Sequence, residues 1–139
     1  MLVLFMTVLG VATVAQRAEP PMKRERLAAM ISAVDPEVPL LGGKYFELTI
    51  DDVSILVVTD PLADRMKAMV RIRSAEGLEP KDLLRVMQAN FDAALDARYA
   101  VAQGRLRGVL VHPLSPLEKD QPLSGLVQTV TVGQAYVSL

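Results

Sequence analysis

This sequence predicts an α+β fold, an antiparallel sheet packed with helices in the order α-β-β-β-α-β-β-α. Three observations carry that prediction. Residues 79–98 place Leu84, Met87, Phe91 and Leu95 at three- and four-residue spacing, with Leu83 and Ala94 widening the apolar stripe. On both sides of this stretch the apolar residues alternate at period two instead, so the helix has to cover a sheet rather than join a bundle. Finally, 139 residues of which 51% are hydrophobic but only 4% aromatic suffice for one domain with an aliphatic core.

Taken in order, the first helix follows the stiff Glu19-Pro20-Pro21 stretch, with Leu27, Met30, Ile31 and Val34 on one stripe and Pro36 ending it. Residues 37–43 read as a loop closed by Gly42-Gly43. From 45 to 73 the period is two. Phe46, Leu48 and Ile50 share a face, Asp51-Asp52 turns the chain, and Ile50 then pairs with Val53, so that Val53, Ile55 and Val57 join the same face. After the turn at 60–64, Met66, Ala68, Val70 and Ile72 continue it. The opposite face carries Tyr45, Glu47, Thr49, Ser54, Leu56 and Val58, then Lys67, Met69, Arg71 and Arg73. Pro80 can open the central helix at its first position, where a missing N–H removes nothing from the ladder. Two further strands are expected at 99–102 and 105–112, joined through Gln103-Gly104 and stopped by Pro113. Residues 123–139 carry both signals. Val127-Gln128-Thr129-Val130-Thr131-Val132 is β-branched enough for a strand, but Leu123, Leu126, Val127, Val130 and Val137 follow a helical stripe opened by Pro122, and we expect helix.

Residues 1–15 carry no charge, are almost wholly apolar and end in Ala12-Thr13-Val14-Ala15, with small residues where a signal peptidase reads. We expect a signal peptide at 1–15, a linker at 16–22, a single domain over 23–139, and a periplasmic or secreted product. The run lacks a basic n-region and is too short for a membrane span, which takes about 20 apolar residues. A start at Met22 would instead leave a cytoplasmic protein.

Chemical signatures are sparse. With no cysteine, disulfides, thiolate metal sites and a Cys nucleophile are excluded. A net charge of −1 supplies no electrostatic reason to bind nucleic acid. Gly42-Gly43-Lys44 lacks the first glycine of a phosphate loop and has Tyr45 where Ser or Thr would bind magnesium. His112 and Ser115 are neighbours without a Gly-x-Ser-x-Gly elbow, so His112 reads as structural. Asp51, Asp52, Asp60 and Asp64 match turn chemistry and no calcium-loop spacing. The sequence therefore offers no catalytic residue, metal site, cofactor or small-molecule substrate. What stands out is the second sheet face, where Tyr45, Leu56, Val58 and Met69 are more apolar than solvent asks for and Lys67, Arg71 and Arg73 form a basic strip. An extended partner could seat alternate apolar side chains on Leu56, Val58 and Met69, with Arg71 gripping its acidic or backbone groups.

Several segments resemble the type III secretion chaperone superfamily, the Tir-chaperone-like fold that also includes YbjN-type proteins. The resemblance covers residues 24–139. It rests on Leu27-x-x-Met30-Ile31, on Phe46-Glu47-Leu48 and its hairpin, and on Leu83-Leu84-x-x-Met87-Gln88-Ala89-Asn90-Phe91, which is similar to that family's leucine-leucine, then alanine-asparagine helix. The hairpin over 99–110, with Gly104 at its turn, completes it. The resemblance implies a small non-enzymatic homodimer, without cofactor, that holds an extended segment of another protein. Dimerisation would use any of Leu84, Met87, Phe91 and Leu95 not spent on the sheet. Secretion chaperones of this family work in the cytoplasm and lack signal peptides, so a cleaved leader here points to an envelope role. The alternative is a structural or assembly subunit of an envelope protein complex.

Overall fold

The computed structural model describes residues 19–38 and 45–139. The expected signal peptide and the Gly42-Gly43 turn lie outside the described residues. The chain runs α1 (Arg24–Val34), β1 (Tyr45–Ile50), β2 (Val53–Asp60), β3 (Arg65–Ser74), α2 (Pro80–Asp92), β4 (Arg98–Ala102), β5 (Arg105–Pro113) and α3 (Gln121–Ala135), with a 3-10 turn at Tyr136–Ser138. This is the expected element order. The strands form one antiparallel sheet in the order β1-β2-β3-β5-β4.

Two tight hairpins set the register. Asp51 and Asp52 turn at φ of 49° and 62°, and Gln103 and Gly104 at 53° and 69°, the double left-handed geometry that matches strand twist. Ile50 pairs with Val53 as expected. One face then buries Phe46, Leu48, Ile55, Val57, Met66, Ala68, Val70, Leu106 and Leu110, each side chain larger than alanine contributing roughly 1.5–3 kcal/mol. A one-residue slip would expose them all.

α1 joins this core through Leu27, Ala28 and Ile31, with the Arg24 guanidinium 4.8 Å from the centre of the Phe46 ring. The fold begins before α1. Met22 is buried and its N–H donates to the Ser115 carbonyl at 2.9 Å.

α3 covers the middle of the sheet, against β3 and β5. Three glycines allow the approach. A Cβ on Gly125 would stand 2.6 Å from Leu110 Cδ2, one on Gly133 2.8 Å from Val70 Cγ2, and one on Gly108 3.1 Å from the Thr129 carbonyl oxygen. The β-branched residues that argued for a strand are accommodated in the helix, where the Thr129 and Thr131 hydroxyls donate to the Gly125 and Val127 carbonyls at 2.7 and 2.9 Å. Val137, expected on the buried stripe, lies in the 3-10 turn and is 89% exposed.

α2 departs from expectation in length and in place. It starts at Pro80, with the Glu79 N–H donating to Asp82 at 3.0 Å, but ends at Asp92 instead of running to 98. Past that point Ala97 turns fully into the core and Arg98 opens β4, donating to the Leu95 and Ala97 carbonyls. Nor does α2 cover the sheet. It lies along β4, buries Val86 and Ala89, and turns much of its apolar stripe outward. Asn90 fixes it there. Its amide donates to the Tyr99 carbonyl at 3.1 Å and accepts the Tyr99 N–H at 2.7 Å, occupying edge groups that another strand would otherwise pair with.

Candidate functional site

The sheet face opposite the core has no helix packed over it among the described residues. Direct cross-strand pairs share a face, so the register places its side chains in rows. Glu47, Leu56, Met69, Val109 and Arg98 form one row; Tyr45, Val58, Lys67 and Val111 the next. Leu56, Val58, Met69 and Val109 are half-buried and Val111 is 54% exposed. Arg71 pairs with Arg107, which pairs with Ala100, in the row on the other side of Met69.

Leu56, Val58, Met69 and Arg71 line one groove of about 720 Å³ with Val111 and Arg107. Tyr45, grouped with them from the sequence, shares the face but stands 58% exposed at the β1 edge and does not line the groove. Sequence reasoning missed the β5 contribution of Arg107, Val109 and Val111. Their alternation against Leu106 and Leu110 was visible, but only the strand order reveals that β5, not β4, lies beside β3.

A second apolar surface belongs to α2. Leu84, Met87 and Phe91 are 66%, 66% and 86% exposed. Leu95, placed on the same stripe by spacing, lies past the helix end and instead lines a separate apolar groove of about 730 Å³ with Val34, Leu123 and Val127.

The polar residues flagged for chemistry are committed elsewhere. The Ser115 hydroxyl and N–H both donate to Asp64, each at 2.7 Å, so the hydroxyl serves that loop contact. These bonds hold the Asp64 carboxyl below its ordinary range. The His112 Nδ1 lies 2.7 Å from the Pro113 carbonyl oxygen. Asp60 accepts from the N–H groups of Leu62 and Ala63, closing the β2–β3 turn. Glu19 is likewise lowered, mainly by its bond from Arg26, and burial raises the Tyr99 hydroxyl. Among the described residues no group of three His, Asp or Glu side chains could hold a metal ion, and no helix is long and apolar enough to cross a membrane.

No protein-family model matches the sequence, and no curated protein matches it. Solved structures do match the fold. A chain of the ExsC–ExsE complex superposes with a TM-score of 0.65 at 12% identity, covering 84% of this chain and 91% of its own. A chain of the heterodimeric ExoU–SpcU complex of the Pseudomonas aeruginosa type III secretion system gives 0.63 at 14%, covering 80% and 94%. The Yersinia pestis type III secretion chaperone SycH complex with a fragment of YscM2 gives 0.53 at 16%, covering 79% and 99%. With its element order, sheet topology and these superpositions, the chain has the fold of the type III secretion chaperones.

Proposed function

We propose that this protein is a non-enzymatic, chaperone-like module that holds an extended segment of another protein on the open face of its sheet. The observation that carries this reading is the half-buried apolar row of Leu56, Met69 and Val109, flanked by Val58 and Val111, on a face that no element among the described residues covers. Such a floor can take alternate side chains of an extended chain. The similar solved structures support it, since several were determined as complexes with a second protein. In the same reading the module is a homodimer closed through Leu84, Met87 and Phe91, and it acts outside the cytoplasm after removal of residues 1–15.

The test is recovery of the C-terminally tagged protein from its native cell, with intact mass read alongside. A mass lacking residues 1–15 and a co-purifying protein are expected. Leu56→Asp with Met69→Asp should weaken that partner's affinity at least about tenfold, or ~1.4 kcal/mol. Unchanged affinity in the double variant would sink the reading. The apolar groove at Val34, Leu95, Leu123 and Val127, a surface apart from both others, favours a second reading as an assembly subunit of an envelope complex. Fixed stoichiometry through every purification step is its mark, whereas a stable free homodimer argues against it.

A further inference from the structure

Two arginines are cross-strand neighbours in the groove. Arg71 and Arg107 are direct cross-strand partners on the open face, an arrangement that is destabilising when nothing lies between the charges. Arg107 is only 8% exposed, a degree of burial at which a guanidinium is ordinarily paired with a carboxylate. Its bonds within the described residues go to neutral groups, with Nε at 3.4 Å from the Ala102 carbonyl oxygen and Nη2 at 3.2 Å from Gln103 Oε1. No hydrogen bond of Nη1 to a described residue adds to these. Arg71 is exposed and makes no hydrogen bond or ion pair with a described residue.

Neighbouring charges do not relieve the pair. The groove is lined by four basic residues, Arg65, Lys67, Arg71 and Arg107, and one acidic residue, Asp60. Asp60 is engaged by the turn it closes, and Glu47 on the same face accepts the Ser54 hydroxyl at 2.9 Å. Arg65 donates to the Asp64 carbonyl at 2.9 Å. The charge that fits between Arg71 and Arg107 therefore has to arrive with a partner, and the planar guanidinium fork suits a carboxylate.

We infer that Arg71 and Arg107 form a carboxylate-binding site beside the apolar row, and that the segment held there carries an Asp or Glu side chain next to its apolar anchor. The inference rests on the segment-holding reading above. Spacing adds a rule. Successive same-face rows of a strand are two residues apart, about 6.6 Å, which is also the spacing of residues i and i+2 in an extended partner. A partner lying along β3 thus puts an apolar side chain on Leu56 and Met69 and its acidic side chain two residues away, over the arginines.

The full chain is tested on an array of short peptides alternating apolar residues with Thr, in pairs that differ only by Glu or Gln two residues from the apolar anchor. The Glu peptides should bind at least about tenfold tighter than their Gln partners, and in Arg71→Gln the preference should shrink to about twofold or less. Exposed Arg71 can be replaced without disturbing the core, and the free Arg71→Gln protein should melt about 2 °C higher because the unrelieved repulsion is gone. Equal binding of Glu and Gln peptides, a preference that survives Arg71→Gln, or a lowered melting point overturns the carboxylate site while leaving the segment-holding reading intact. Failure of every peptide to bind overturns both.

Discussion

Asp64 links three parts of the chain at the scale of single side chains. It sits at φ 52°, ends the β2–β3 turn, and receives two bonds from Ser115, whose carbonyl in turn accepts the Met22 N–H. The depressed carboxyl stabilises the fold only while ionised. Because its folded value lies below its unfolded one, that contribution is complete above the ordinary carboxylate range and disappears as pH falls through the folded value. Asp64→Asn keeps a side chain that tolerates left-handed backbone but removes the charge. The variant should melt lower at neutral pH and lose less stability than the native chain on acidification, as followed by thermal melts across the acid range. Parallel melting curves for the two proteins would show that the carboxylate contributes nothing. The Asp64 turn itself was legible from residue type. Its bond to Ser115 was not, because the two residues meet only through tertiary packing.

For the elements, the decisive contact is α3 on β3 and β5. Local propensity alone leaves 127–132 undecided between helix and strand, and the glycines settle it by letting the backbone of α3 lie close over Val70 and Leu110. Gly108→Val separates the two influences. Val is a better strand residue than Gly, so propensity predicts a gain. Packing predicts a loss of about 1–3 kcal/mol, because the new Cβ would meet Val70 Cγ2 at 3.0 Å and the Thr129 backbone at 3.1 Å. Chemical denaturation should report the loss, and a stabilised variant would mean that α3 is free to lift. α2 teaches the reverse lesson. Its stripe was read correctly as apolar but assigned to the sheet, whereas Val86, Ala89 and Asn90 attach the helix to β4 and leave Leu84, Met87 and Phe91 outward.

At the scale of the whole molecule, those three exposed side chains make an apolar face that a small protein seldom leaves to water. A C2 dimer would cover it with the same residues from a second copy. We expect sedimentation to show a dimer, and Met87→Glu with Phe91→Glu to convert it to a folded monomer with an unchanged circular dichroism spectrum. A native chain that sediments as a monomer at every concentration removes the dimer from the reading. Leu95 belongs to a different surface, so Leu95→Glu should leave the dimer intact.

Period-two and period-3.6 patterns within contiguous residues were enough for the element order, both hairpin turns, and the core and open faces of β1, β2 and β3 as far as Arg71; Arg73, expected on the open face, is instead set opposite buried Leu106 by a bulge after Arg71. The sequence also located Leu56, Val58, Met69 and Arg71 on the open face, and the alanine-asparagine pair on α2. That β5 rather than β4 lies beside β3, bringing Arg107 opposite Arg71 and Val109 opposite Met69, emerges only from tertiary packing. Packing alone decided that α3 rather than α2 covers the sheet. Strand adjacency and helix docking depend on which surfaces fit across long separations in the chain, and a local pattern records that a face is apolar without recording what will cover it.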